Sequence, residues 1–151
     1  MTKILFVCHG NICRSPMAEF VFNYLAKKAG ADCFAESKAT SSEELGRDIH
    51  YGTRAKLREK GIPFSSRSAC RMDSSDYYKY DLIIGMDRYN MQNMRRLFGS
   101  DPDNKIRRLL DYTDHPRDVD DPWYTGNFDE TYDDILEGCT ALLNDIMRAE
   151  K

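Results

Sequence analysis

The sequence lacks any apolar run of the length that spans a membrane. A membrane-spanning helix needs about 20 consecutive, mostly apolar residues. Residues 3–7 form a short apolar stretch that leads into a polar Cys-His-Gly-Asn segment, and no small-residue cleavage site follows it. We therefore expect no signal peptide and no membrane partner, and we predict a cytoplasmic protein.

An excess of charge of one sign is also missing. The chain contains 22 Lys and Arg residues against 25 Asp and Glu residues, which are mixed along its length and give a formal net charge of −3. Domains that bind nucleic acids through their overall charge are usually strongly basic. The composition therefore argues against a nucleic-acid partner.

The cysteines are few and odd in number, and they do not form metal-binding pairs. Only Cys8 and Cys13 are close in sequence, and their spacing does not match a zinc site, which needs pairs of close Cys or His ligands. Five cysteines without a secretion signal predict reduced thiols. We predict no metal and no cofactor, and we expect Cys33, Cys70 and Cys139 to be small buried side chains.

Segments typical of strands alternate with segments of helical periodicity along the 151 residues. Buried strands are predicted at residues 3–7, 33–37, 80–86 and 105–110. Helices are predicted at residues 16–29, 53–60, 88–98 and about 129–147. This order predicts a single α/β domain, residues 1–151, with a four-stranded parallel sheet that has helices on both faces. Ligands of such sheets bind at the carboxyl ends of the strands, near a topological switch point, and Cys8 follows the first strand.

The segment between the first strand and the first helix suits the binding of a phosphate group. It reads Cys8-His9-Gly10-Asn11-Ile12-Cys13-Arg14-Ser15-Pro16. The five residues between Cys8 and Arg14 provide enough backbone to curl around one tetrahedral anion, with successive N–H groups pointing inward. Gly10 and Asn11 tolerate the positive φ that such a curl requires. Ser15 is expected to cap the helix, whose first turn accepts a proline.

The same segment carries groups for catalysis. Arg14 presents a planar fork that binds two phosphate oxygens, and the helix N-terminus adds partial positive charge. These surroundings favour the thiolate form of Cys8, which can attack phosphorus and form a phosphocysteine. The Ser15 hydroxyl is placed to hydrogen-bond the sulfur when it departs. A cysteine alone at this position would more often be structural, but the accompanying Gly, Asn, Arg and Ser-Pro favour a catalytic loop.

Cleavage of a phosphate ester also needs a proton donor for the leaving group and a base for water, and one carboxyl group can serve both steps. Asp118, Asp120 and Asp121 precede Pro122 in an Asp-rich loop. Composition alone does not choose among them, and an Asp-Pro pair is also a common way to start a turn.

Residues 7–19, Val-Cys-His-Gly-Asn-Ile-Cys-Arg-Ser-Pro-Met-Ala-Glu, resemble the signature of the low-molecular-weight protein tyrosine phosphatases, and the likeness extends over nearly the whole chain. The resemblance implies a four-stranded parallel sheet with helices on both faces. It implies hydrolysis of phosphotyrosine in proteins or peptides, and of aryl phosphates, with free phosphate as a product. It also implies that Asp121, directly before proline, is the general acid and base, and that Asp120 is the neighbouring acidic position.

The resemblance further assigns the rim of the site. Trp123 and Tyr124 match the aromatic positions beside the substrate ring, where stacking and apolar burial suit a phenyl group. Glu43 lies in the opposite rim loop, at a position where many members carry an aromatic residue. His9 also departs from the pattern, since leucine or threonine is more usual after the nucleophile, and we expect it to point to solvent. We expect His50 to be a helix cap or a surface residue.

The family resemblance also implies that Cys8 and Cys13 can form a disulfide under oxidation. Our hypothesis is that this bond protects the nucleophile from further oxidation.

Three other functions use a similar loop. Arginine phosphatases typically have threonine at the position of Ile12, and an apolar Ile12 favours a phenyl ring over a guanidinium. Arsenate reductases of this fold need two further cysteines close together between residues 70 and 90, where Cys70 stands alone. A phosphate-binding module without catalysis would not need Cys8 or Asp121 in addition to Arg14.

Overall fold

A computed structural model describes residues 1–149 and contains one parallel sheet. Its strands are Thr2–Cys8 (β1), Cys33–Ala39 (β2), Leu82–Gly85 (β3) and Ile106–Arg108 (β4). They are arranged in the order β2-β1-β3-β4, and every neighbouring pair is parallel. The predicted four-stranded parallel sheet is therefore confirmed.

Four longer helices and two short ones accompany the strands within the described residues. They are Arg14–Ala29 (α1), Tyr51–Glu59 (α2), Asp76–Lys79 (α3), Arg88–Phe98 (α4), Pro122–Thr125 (α5) and Phe128–Ala149 (α6). The sequence predicted the longer helices and missed α3 and α5, which are too short to show helical periodicity. No helix within residues 1–149 is both long and apolar enough to cross a membrane.

The fourth strand is shorter than predicted. It ends at Arg108, and the chain continues as a 3₁₀ turn, Leu109–Tyr112. Leu109 and Leu110 are fully buried in this turn, in contact with the core. A short apolar run does not distinguish a buried strand from a buried turn, which is why the sequence extended β4 to residue 110.

Both faces of the sheet are covered by helices. The side chains of Ile4 and Phe6 belong to one apolar cluster with residues of α1 and α6. Leu5 and Val7 belong to a second cluster with residues of α4. Because alternate side chains of a strand point to opposite faces, a segment that is buried on both faces is apolar at every position, as residues 4–7 of β1 are.

The exposure of Cys70 contradicts its predicted burial, whereas Cys33 and Cys139 are buried as expected. Cys70 lies in a segment whose backbone pairs with the end of the edge strand β2, through a bridge between Ala39 and Arg71. Side chains alternate in and out along such an edge, so a cysteine there can face solvent.

The order of the strands creates a crevice beside β1. The connection after β1 runs to β2 on one side, and the connection after the neighbouring β3 runs to β4 on the other side, so the two leave adjacent carboxyl ends in opposite directions. Cys8 ends β1, and Asp87 follows the end of β3 by two residues. The topology therefore brings these two residues to the same edge of the sheet, where α1 begins with Arg14.

Candidate active site

A pocket of about 150 Å³ opens at this edge of the sheet and is lined by side chains from three separate parts of the chain. The loop after β1, the loop after β2 and the loop before α5 contribute to it. The lining residues are Cys8, His9, Gly10, Ile12, Cys13, Arg14, Glu43, Glu44, Asp121, Trp123 and Tyr124. The pocket thus brings together every residue proposed from the sequence for the site except Asn11 and Ser15. These two residues belong to the same loop, but they are fully buried and do not line the pocket.

The curl of the loop depends on Asn11 and Gly10 in different ways. Asn11 adopts a positive φ of 60°, as expected, but Gly10 does not. Gly10 instead makes room for a neighbouring side chain, because a Cβ atom at this position would lie 3.0 Å from Cγ of Glu44. A larger residue would require the Glu44 side chain to shift.

The Asn11 side chain is fully buried and forms hydrogen bonds with four residues. Its Nδ2 donates to Oγ of Ser15 at 2.8 Å and to Oγ of Ser37 at 3.0 Å. Its Oδ1 accepts a hydrogen bond from Nη2 of Arg67 and one from the Cys70 N–H. Because a positive φ is strained for a residue other than glycine, these bonds help to keep the loop in its curled form.

Cys8 is almost completely buried, and two groups of Ser15 lie beside its sulfur. The Ser15 Oγ is 3.0 Å from Sγ of Cys8, and the Ser15 N–H donates to Sγ at 3.4 Å. Since the Ser15 oxygen already accepts a hydrogen bond from Asn11, its own proton is available for the sulfur. Donors aimed at the sulfur stabilise negative charge on it.

Ser15 is not the helix cap that the sequence predicted. Helix α1 begins at Arg14, its N-cap is Cys13, and no side chain forms a cap hydrogen bond there. The Ser15 hydroxyl contacts Cys8 and Asn11 instead. The cap assignment was wrong because the tertiary contact with the sulfur places Ser15 inside the first turn.

Arg14 is 2% exposed and is bound by acceptors from two other loops. Its Nη1 donates to Oδ2 of Asp87 at 2.7 Å and to the carbonyl oxygen of Val119 at 2.8 Å, and its Nη2 lies 3.4 Å from Oδ2 of Asp121. Burial alone would lower the pKa of Arg14, but the negative charges at Cys8, Asp121 and Asp87 outweigh it and raise the pKa. Arg14 is therefore a fixed positive charge beside the sulfur.

The three aspartates before Pro122, among which composition could not choose, have different positions in the structure. Asp118 accepts a hydrogen bond from the Arg88 N–H at 3.0 Å and pairs with Arg108 at 2.9 Å, so it holds the loop. Asp120 is exposed and does not line the pocket of Cys8. Asp121 lines that pocket, and its Oδ1 caps α5 by accepting from the Trp123 N–H at 3.0 Å.

A sequence profile of the low molecular weight phosphotyrosine protein phosphatases matches residues 3–151. The chain belongs to this family. It is 41% identical over 155 residues to the low molecular weight protein-tyrosine-phosphatase YfkJ of Bacillus subtilis, an alignment that covers 100% of this chain and 99% of YfkJ. The crystal structure of YfkJ matches with a TM-score of 0.96 and covers 100% of this chain and 98% of that chain.

Two further proteins are similar to nearly the whole chain. PtpA of Staphylococcus aureus (strain Newman), also named a low molecular weight protein-tyrosine-phosphatase, is 34% identical over 150 residues, covering 98% of this chain and 96% of PtpA. The crystal structure of a drosophila arginine phosphatase is 28% identical, with a TM-score of 0.85, and covers 96% of this chain and 98% of that chain.

The second cysteine in the loop of this low-molecular-weight phosphatase is in a different environment from Cys8. Burial raises the pKa of the Cys13 thiol above its ordinary value, and the nearby negative charges of Cys8 and Asp121 raise it further. Cys13 therefore remains a thiol. The disulfide between Cys8 and Cys13 stays a prediction.

The aromatic rim of the phosphatase pocket is supported by His50. Trp123 and Tyr124 are 53% and 83% exposed, so neither ring closes the core. The His50 ring meets Trp123 edge-on, with centroids 5.7 Å apart, and stacks on Phe128 at 5.3 Å.

His50 also touches the phosphate loop and a helix. Its N–H donates to the carbonyl oxygen of Ile12 at 2.8 Å, and its Nδ1 caps α2 by accepting from the Gly52 N–H at 3.0 Å. The predicted cap is confirmed, whereas its contact with Trp123 was not foreseen.

The two residues that depart from the phosphatase family pattern contact each other. Nε2 of His9 lies 2.9 Å from Oε2 of Glu43, and both side chains line the pocket. His9 is exposed, as expected, but its contact with Glu43 was not foreseen. Backbone hydrogen bonds from Thr40 to Cys8 and from Ser41 to His9 hold the two loops side by side and place the pair across the rim.

Sequence reasoning missed Asp87 and Arg67 as parts of the site. A usable signal existed for Asp87, because it follows a buried strand and the carboxyl ends of parallel strands meet at one edge. For Arg67, which contacts Asn11 from 56 residues away, the local sequence carries no such signal.

Proposed function

We propose that this chain is a protein tyrosine phosphatase that forms a phosphocysteine on Cys8. The proposal is supported by one pocket that is lined by Cys8 and Arg14, from the loop after β1, and by Asp121, from a distant part of the chain. A binding module would need the arginine but neither the sulfur nor the carboxyl group. The sequence profile that matches residues 3–151 shows membership in the family.

In the first step the Cys8 thiolate attacks phosphorus and the bond from phosphorus to the phenolic oxygen breaks. The protonated carboxyl group of Asp121 gives its proton to that oxygen, so tyrosine leaves neutral. Asp87 and the Val119 carbonyl hold Nη1 of the Arg14 guanidinium. Nε and Nη2 are proposed to donate to two phosphate oxygens, with the substrate replacing the 3.4 Å contact between Nη2 and Asp121. The loop N–H groups and Arg14 stabilise the charge on the transferring group.

In the second step a water molecule attacks the phosphocysteine and the bond from sulfur to phosphorus breaks. The Asp121 carboxylate takes a proton from the water, and inorganic phosphate is released. Cys8 departs as a thiolate, and the Ser15 hydroxyl at 3.0 Å donates to the sulfur as charge returns to it.

The rim is proposed to select an aromatic group. Trp123 and Tyr124 provide apolar surface to the pocket, and Ile12 of the loop after β1 is a further apolar lining residue. A phenyl ring fits such walls by stacking and apolar burial. Phosphotyrosine proteins or peptides are the proposed partners. A thiolate nucleophile works only while reduced, which supports a cytoplasmic setting.

Arginine phosphatase is a second candidate. The structural similarity to the drosophila arginine phosphatase supports it, and so do Glu43 and Glu44, two acidic residues that line the pocket. A carboxylate wall would suit a guanidinium better than a phenyl ring. Glu43 is engaged by His9, and Glu44 by Arg47 at 3.0 Å, which weakens this support.

One assay separates the candidates. Purified protein is given matched peptides that carry phosphotyrosine or phosphoarginine, and kcat/KM is measured for each, with Cys8→Ser as the blank. We expect turnover of phosphotyrosine to be the faster of the two and Cys8→Ser to be inactive. Faster turnover of phosphoarginine would contradict the proposal, and full activity of Cys8→Ser would contradict the mechanism.

A further inference from the structure

A second cavity of about 600 Å³ adjoins the catalytic pocket. The two cavities share His9 and Glu43, so this pair forms a ridge between them. Beyond the ridge, the second cavity is lined by Arg71, next to the end of β2, and by Arg96 on α4. We call it the arginine groove. When the phosphotyrosine of a peptide occupies the pocket, the neighbouring peptide residues have to cross the rim. The arginine groove is one of the places that these residues can reach.

The arginine groove is locally positive, although the chain as a whole is negative. Within residues 1–149, neither Arg71 nor Arg96 pairs with a carboxylate, and Arg96 donates only to the neutral amide of Asn93, at 3.3 Å. The acidic residue that lines the groove is Glu43, and His9 holds its carboxylate at 2.9 Å. Both arginines are exposed, so their charges remain available to a ligand.

We infer that the arginine groove binds an anionic group that lies close to the phosphotyrosine in the substrate. The inference rests on the proposed phosphatase function and names its preferred substrates, which are acidic phosphotyrosine segments. The anion is either the carboxylate of a neighbouring Asp or Glu residue or a second phosphate group. Guanidinium groups bind both through paired N–H donors.

The proposed contact between the arginines and the anionic group lies outside the pocket in which the phosphorus reacts. It is therefore the same before and during the reaction. Such uniform binding lowers KM and leaves kcat unchanged. Exposed ion pairs are individually weak, so we expect a three- to tenfold effect on KM from the two arginines together, roughly the range for such pairs. The effect should fall at high salt, because exposed charges are screened.

The test compares peptides and variants. The peptides carry one phosphotyrosine flanked by Gln, by Glu on its N-terminal side, by Glu on its C-terminal side, or by phosphoserine. The variants are Arg71→Met with Arg96→Met, and as a matched control Arg95→Met, an exposed arginine on α4 that does not line the groove. An aryl phosphate, which has no group to reach the groove, reports the basal activity.

We expect the wild type to prefer at least one acidic peptide over the Gln peptide through KM. The double variant should lose this preference, and Arg95→Met and the aryl phosphate rate should not change. Comparison of the Glu and phosphoserine peptides identifies which anion is preferred. Equal KM values for all peptides in the wild type would overturn the inference, as would an equal loss of preference in Arg95→Met.

Failure of the phosphatase function is distinguishable from failure of the groove. If the wild type hydrolyses neither the aryl phosphate nor any peptide, the proposed function is wrong. Fluorescence anisotropy of the same labelled peptides then measures binding alone, and the groove stands only if the double variant loses the preference for acidic peptides.

Discussion

The Oγ atom of Ser15 lies 3.0 Å from the Sγ atom of Cys8 and accepts a hydrogen bond from Asn11 at 2.8 Å. The Asn11 amide donates a hydrogen bond to the Ser15 oxygen, which leaves the Ser15 hydroxyl proton to be donated to the Cys8 sulfur. The hydroxyl therefore acts most strongly when the sulfur carries negative charge, which in the proposed mechanism is before attack and during departure.

Replacement of Ser15 by alanine is expected to slow the breakdown of the phosphocysteine more than its formation. Loss of one donor to a developing charge lowers kcat by about 10²- to 10³-fold. Rapid mixing with an aryl phosphate should then give a burst of phenol followed by a slow steady state. An unchanged kcat without a burst would show that the serine does not assist departure of the sulfur.

Replacement of Asp121 by asparagine is expected to remove the proton donor while keeping the size of the side chain. Loss of a general acid typically lowers the rate by about 10²- to 10⁴-fold, and the loss should be larger for phosphotyrosine than for an aryl phosphate with a more acidic phenol. The matched control is Asp120→Asn, next to it but outside the pocket. Equal losses in the two variants, or equal losses for both leaving groups, would refute the assignment.

Replacement of Arg67 by methionine is expected to destabilise the curled form of the loop from Cys8 to Ser15. The variant removes the guanidinium that donates to Oδ1 of Asn11, a buried acceptor. Loss of a charged hydrogen bond to a buried group costs about 1 to 3 kcal/mol of unfolding free energy. We also expect weaker inhibition by inorganic phosphate, because the loop that binds it is less ordered.

Urea unfolding and phosphate inhibition are the two measurements for Arg67→Met. Arg148→Met, on the exposed end of α6, is the control for loss of an arginine. A variant with unchanged stability and unchanged phosphate affinity would mean that the other partners of Asn11 are sufficient.

The stability of the protein is expected to depend on the protonation of His50. Burial lowers the pKa of His50, the charge of Arg54 lowers it further, and Asp121 opposes this in part. The unfolded chain, with a histidine pKa of about 6.5, therefore binds the proton more readily than the folded protein. The contribution of neutral His50 is present above that pH and decreases as the pH falls from about 6.5 toward the lowered pKa.

His50→Asn tests this, because asparagine also caps helices but does not titrate in this range. Urea unfolding at a series of pH values from about 8 to about 5 measures the difference between wild type and variant. We expect the advantage of the wild type to shrink as the pH falls. A constant or growing advantage would contradict a lowered pKa.

Much of the fold and the centre of the site could be predicted because their signals are local. A strand buried on both faces is apolar at every position, so residues 3–7 identified β1 to within one residue at each end. The residues that curl around a phosphate must be consecutive, so the loop from Cys8 to Ser15 was visible as one motif. Asp87, which caps the start of α4, and Gly99, which follows its last residue, likewise mark the two ends of this helix.

The alternation of strands and helices, the loop from Cys8 to Ser15 and a set of three candidate acids can be recognised without a structure. The partners that hold these groups become known from the fold alone. Arg14 meets Asp87 across 73 residues, and His9 meets Glu43 across 34. Such contacts arise because parallel strands bring their carboxyl ends to one edge of the sheet, so residues that are distant in the chain share a site. Local periodicity contains no information about that pairing.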